Sequence, residues 1–187
     1  MQTQRAAFLK TVAAIDWSRL VFLDETGVDQ GMTRRFARSL HGTRAHAAAP
    51  INIGLNISVV AAIRLEESVV AAMSTEGSFD GELFLAFTTE ILAPALHPGD
   101  YVVLDNLGAH RTSGIVEAIE AVGAHVLFLP PYSPDFNPIE SCWSFFKEWL
   151  RGQAARTKNA LDIAISKGLD LVNATQVAGW FKGCGYV

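Results

Sequence analysis

Two short apolar runs constrain the fold of this chain most. Leu20-Val21-Phe22-Leu23 and Tyr101-Val102-Val103-Leu104 show no polar alternation, and each is followed at once by an aspartate, Asp24 and Asp105. A run of this length without alternation is the pattern of a strand covered on both faces, as in the parallel sheets of α/β folds. A carboxylate just past such a strand lies where open α/β sheets hold their ligands. A third acid, Glu140, opens a helix after Pro-Tyr-Ser-Pro-Asp-Phe-Asn-Pro.

The rest of the chain fits around those strands. Residues 3–14 read as a short helix leading into Asp16-Trp17, with Arg19–Glu25 as a strand and Thr26-Gly27 as a turn. A short strand is expected over 33–40, and Ile51, Ile53, Leu55, Ile57 and Val59 alternate at period two, predicting a half-buried strand over 51–63. A charged turn at 64–67 leads to its hairpin partner at 68–74. Phe79, Leu83, Phe84, Phe87, Ile91 and Leu92 recur at helical spacing over 78–96, with Ser78 or Asp80 as N-cap. After a break at His97-Pro98-Gly99-Asp100 follow a strand at 101–104, a helix at 112–122 and a strand at 125–129. Four prolines (130, 131, 134 and 138) force a rigid loop, and helices follow at 139–151, 158–173 and 175–182. An antiparallel meander followed by strand–helix alternation predicts an α/β fold: a mixed sheet with helices on both faces.

With 187 residues, half of them apolar and 18% charged, one domain with a substantial core is expected. No secretory signal and no apolar run of membrane-spanning length is visible, which points to a cytoplasmic protein without a membrane partner. Cys142 and Cys184 show no pairing or ligand spacing and read as free thiols. The net charge of −4 is not that of a free-standing DNA binder, which usually shows a basic excess. The positive charge is local: Arg34, Arg35, Arg38 and Arg44 in one segment, and Lys147, Arg151, Arg156 and Lys158 in another. Each cluster reads either as a solvated face or as a contact for nucleic acid.

Three carboxylates without an accompanying histidine or cysteine cluster disfavour zinc and suit hard divalent cations, Mg²⁺ or Mn²⁺. A pair of such ions activates an attacking water or hydroxyl and stabilises the leaving oxygen of a phosphodiester. No P-loop and no nucleophile-elbow serine is present, which excludes the common routes to nucleoside-triphosphate and ester hydrolysis. Glu140 has two readings. With Asn137 as N-cap and Pro138 at the first helical position, it suits a capping box. Yet Ile139, Cys142, Trp143, Phe146, Trp149 and Leu150 form one apolar stripe, leaving Glu140, Ser144, Lys147 and Arg151 on the other face. Asp24 and Asp105 could likewise cap turns. Asn106 could fix the Asp105 carboxylate or approach the metal's water shell, and His110 could touch a phosphate or cap a helix.

Val-Phe-Leu-Asp24-Glu-Thr, Val-Leu-Asp105-Asn106-Leu-Gly-Ala-His110 and Leu-Pro-Pro-Tyr-Ser-Pro-Asp-Phe-Asn137-Pro-Ile-Glu140 together resemble the catalytic (DDE) domain of mariner-related bacterial insertion-sequence transposases. Thirty-four residues separate Asp105 from Glu140, similar to the family's spacing. The resemblance covers almost the whole chain and implies a single ribonuclease H-like domain over 1–187: a mixed five-stranded sheet flanked by helices, with residues 1–18 as a helical lead-in. It further implies that Asp24, Asp105 and Glu140 bind two Mg²⁺ ions, with Mn²⁺ able to substitute, for DNA cleavage and strand transfer. Asn106, His110, Asn137, Lys147 and Arg151 are the candidates for supporting or DNA contacts. The implied partners are transposon ends, target DNA, and a second copy or a full-length transposase, in a bacterial cytoplasm and on the nucleoid when DNA-bound. Family members usually carry an N-terminal helix-turn-helix region that reads the element's ends, and none is expected here. Two other classes fit the same residues: a catalytically silent transposase fragment that pairs with full-length copies, and a generic ribonuclease H-like nuclease.

Overall fold

Five strands form one sheet in the order β3-β2-β1-β4-β5 in the computed structural model, which describes residues 2–105 and 114–186. β1 (Leu20–Asp29), β2 (Asn56–Arg64) and β3 (Val69–Glu76) make an antiparallel meander. β4 (Tyr101–Leu104) then pairs parallel to β1, and β5 (His125–Phe128) parallel to β4. The mixed sheet expected from the sequence is therefore present.

Period-two alternation sorts the strands onto two cores. Leu20, Phe22, Val59, Ala61 and Val103 face one side, where they meet α1 (Gln2–Val12), α5 (Ile139–Gln153), α6 (Lys158–Asp170) and α7 (Ala174–Gly183) through Phe8, Phe146, Ile165 and Phe181. Val21, Leu23, Val60, Val102 and Leu104 face the other side. There they meet α2 (Gly81–Phe87), which passes through a π-helical turn (Thr88–Leu92) into α3 (Ala93–Ala95), and α4 (Ile115–Ala121). Asp80 is the N-cap of α2, accepting from the Leu83 N–H at 2.8 Å. Both faces of the sheet are covered, which is why its central strands read as unbroken apolar runs.

Three expectations need correction. Thr26-Gly27 is not a turn: β1 continues to Asp29, because β2 supplies antiparallel partners as far as Asp29↔Asn56. The strand expected over 33–40 is absent, the one expected over 51–63 begins only at Asn56, and residues 30–55 form a long connection. Ile51 and Ile53 alternate, but no strand pairs with them and both are exposed, so alternation there does not report a buried face. At the third site, α5 begins at Ile139 as expected, but Pro138 rather than Asn137 stands at its N-cap, and among the described residues no side chain caps it. Cys142 and Cys184 are free thiols, Cys142 deep in the first core. Among the described residues no helix is long and apolar enough to cross a membrane.

Candidate active site

The register between β1 and β4 aligns the two aspartates. Their parallel pairing ends at Phe22↔Val103, and two residues further along each strand stand Asp24 and Asp105. Adjacent strands lie about 4.8 Å apart, so the register carries both acids to one level. Parity places both on the side of Phe22 and Val103, the face that α5 covers. Asp24 is inside β1, opposite Ala61 of β2, at the point where β1 outruns β4.

Glu140 arrives from a different direction. The chain leaves β5 through a proline-rich loop that tightens into a 3-10 turn, Pro134–Phe136, with N–H bonds from Phe136 to Ser133 O and from Asn137 to Pro134 O. Both ends of the chain hold this loop. Arg5 of α1 donates to Ser133 Oγ at 2.8 Å, forms a two-pronged ion pair with Asp135, and lies 4.0 Å over the Phe136 ring, while Phe8 stacks on that ring. The Tyr186 hydroxyl donates to Phe136 O at 2.6 Å in a buried contact. Burial raises the Tyr186 phenol well above the ordinary range, which keeps it a donor. The loop thus delivers Glu140 to the first turn of α5, exposed and beside the strand ends. Asp24, Asp105, Asn137 and Glu140 border one cleft of about 480 Å³, with Leu129 through Pro134 as its far wall.

Electrostatics connect the three acids. Burial pushes the Asp24 carboxyl up to about 7, and the charges of Glu140 and Asp105 add to the rise. Hydrogen bonds from the Glu25 N–H and from the indole of Trp143 oppose it. The Trp143 bond, Nε1–H to Asp24 Oδ2 at 3.2 Å, spans 119 positions of sequence. Among the described residues no hydrogen bond or ion pair engages the Glu140 carboxylate, so the capping-box reading is not realised. Asn137 is 4% exposed, and its Oδ1 is buried without a hydrogen-bond partner among the described residues.

Lys147 lies two turns beyond Glu140 on α5, half-buried. Burial lowers its pKa, and the repulsion of Arg151 and Arg35 outside the acidic cleft acts in the same direction, whereas Glu140 and Asp24 act against it. Arg151 pairs with Glu148 at 3.4 Å and borders a second hollow with Arg34 and Arg156, which none of the three acids lines. Arg156 donates to the backbone carbonyls of Gln30 and Met32, which ties the long β1–β2 connection to the end of α5. The two basic segments, distant in sequence, are therefore neighbours beside the cleft. Asn106 and His110 lie outside the described residues. Sequence reasoning missed Trp143 as a member of the site, since helical periodicity counts its ring as core and is blind to its N–H.

Among the described residues, no three His, Cys, Asp or Glu side chains close on one point as a finished metal cage would. The carboxylates border the cleft instead. The donor set nevertheless fits a hard cation: it is all oxygen, the charges of Glu140 and Asp105 raise the Asp24 carboxyl, and the Asn137 Oδ1 is a buried acceptor with no partner among the described residues.

The sequence model of the DDE superfamily endonuclease family matches residues 19–162, which takes in all three acids. No curated protein matches by sequence. Among solved structures, the Mos1 transposase paired-end complex with left transposon end superposes with a TM-score of 0.77 at 14% identity, over 98% of this chain and 57% of that one. The chain thus spans little more than half the length of that transposase. The catalytic domain of Mos1 mariner transposase gives 0.69 at 12% identity, over 98% and 84%. The Mos1 catalytic domain with raltegravir and Mg gives 0.70 at 13%, over 98% and 86%. At these identities the likeness concerns the fold, a ribonuclease H-like α/β sheet. Family follows from the sequence match over three quarters of the length, strand-end aspartates and helix-borne glutamate included: the chain belongs to the DDE superfamily endonucleases.

Proposed function

We propose that this chain is the catalytic domain of a transposase, cleaving DNA strands and joining them to target DNA with the help of divalent cations. One observation carries the reading: three acids from separate parts of the sequence border one cleft, and the two others raise the pKa of Asp24. Asp24, Asp105 and Glu140 would hold Mg²⁺, with Mn²⁺ as a substitute. Such ions, when bound, stabilise charge on phosphoryl oxygens and lower the pKa of an attacking water or 3′-hydroxyl.

The chain's own groups do the rest. Lys147 places a cation within electrostatic reach of the acids, suited to a phosphate next to the one being cut, and Arg151 of α5 and Arg35 of the β1–β2 connection extend that positive surface. Tyr132 stands 89% exposed on the cleft wall with φ at 55°, a conformation costly for an aromatic residue and suited to presenting its ring to an unpaired base. Bound DNA ends, target DNA and a second copy or full-length transposase are the partners this reading requires, and a separate end-reading module would supply sequence recognition.

The test is nicking of supercoiled plasmid and of oligonucleotide duplexes by the purified chain in Mg²⁺ or Mn²⁺. Asp24→Asn, Asp105→Asn and Glu140→Gln are each expected to abolish nicking while far-ultraviolet circular dichroism stays that of the parent. Full activity in any of the three overturns the assignment.

A further inference from the structure

Trp143 sits three residues after Glu140 on α5, at the edge of the apolar stripe that adjoins the face carrying Glu140, so the two side chains are neighbours on the helix surface. Its ring is 3% exposed and packs against Phe146 with ring centroids 5.9 Å apart. Packing alone would be served by phenylalanine. A buried tryptophan also carries an N–H that needs an acceptor, and here the acceptor is Asp24 Oδ2, at 3.2 Å on the neighbouring strand. An indole N–H can only donate. It therefore holds a carboxylate oxygen without competing for a cation, which lysine or histidine in its place could do by charge or by lone pair.

We propose that Trp143 is a positioning residue for cation binding: its indole N–H fixes Asp24 Oδ2 and turns Oδ1 toward the cleft as the ligand oxygen. This rests on the reading of Asp24 as a cation-holding carboxylate. One rigid helix then sets both the place of the third acid and the rotamer of the first. Groups that orient a metal ligand through a hydrogen bond are typically worth about 10–100-fold in metal affinity.

Two readouts independent of activity test it. In ¹⁵N-indole spectra of the 20.2 kDa chain, which has four tryptophans, the Trp143 signal is assigned by through-bond experiments. Saturating Mg²⁺ is expected to shift that signal in the parent and to leave it unmoved in Asp24→Asn. Trp143→Phe keeps an aromatic ring and removes the N–H, and Mn²⁺ binding followed by electron paramagnetic resonance should weaken about tenfold or more. An unmoved Trp143 signal in a parent that binds Mg²⁺, or unchanged Mn²⁺ affinity in Trp143→Phe, overturns the positioning role and leaves the carboxylate reading intact. A parent that binds no divalent cation overturns both. The indole measurement on the parent decides the matter even where Trp143→Phe fails to fold.

Discussion

Asp24 is held in the fold against its own ionisation. Its carboxyl rises from an ordinary value of 3.8 to about 7 through burial and the nearby charges of Glu140 and Asp105. Between those two pH values the folded chain binds more protons than the unfolded one, so this group lowers stability as pH climbs from about 4 to about 7. A shift of that size corresponds to at most about 4 kcal/mol. In chelator, Asp24→Asn is expected to melt above the parent at pH 8, with the gap closing toward pH 4 in thermal scans. Mg²⁺ at pH 8 should then raise the parent's midpoint and leave that of Asp24→Asn in place. A variant that melts below the parent at both pH values contradicts the conflict. The three acids were legible in the sequence because apolar runs and prolines mark their positions. Asp100 and Arg64 were not: they read as a breaker and a charged turn, yet they form a buried pair at 2.5 Å. That pair lies at the opposite end of β4 from Asp105, and its partners come together across the β2-β1-β4 order of the sheet.

Helix α5 links the site to the first core, and α6 presses closely against it. A Cβ added at Gly168 of α6 would stand 2.9 Å from Phe146 and 3.1 Å from Trp149. Alanine normally favours a helix over glycine by about 1 kcal/mol. Here Phe146 is fully buried and has no room to yield, so overpacking of about 1–3 kcal/mol is expected to win. Gly168→Ala should lower the urea midpoint, and a raised midpoint would show that the helices part freely. The elements themselves were largely visible from periodicity, above all the 101–104 strand and the α5 stripe. The 30–55 connection was misread because alternation marks a strand only where a neighbour is present to pair with it. Sequence cannot show that Ile51 and Ile53 have none.

On the scale of the whole molecule, a net charge of −4 coexists with a local concentration of arginine and lysine beside the cleft. Folding gathers them from two segments more than 100 positions apart, which composition alone could not reveal. The same convergence acts on the loop before Glu140, braced by Arg5 and Phe8 from one end and Tyr186 from the other. Tyr186→Phe removes the donor to a buried Phe136 carbonyl, at a cost of about 1–3 kcal/mol. Nicking is expected to fall further than thermal stability does, since the loop slackens while the sheet is untouched. Equal activity at saturating Mg²⁺ would show that the brace is redundant.

The brace also gives the polypeptide a mechanical wiring. Tension applied at the first helix or at Tyr186 reaches the glutamate's loop as well as β1, because Arg5 and the Tyr186 hydroxyl are fastened to the loop while the Tyr186 ring rests on Phe22. Whatever is tethered to either handle, whether a fused module or a surface in a pulling experiment, therefore tugs on the edge of the acidic cleft as well as on the scaffold.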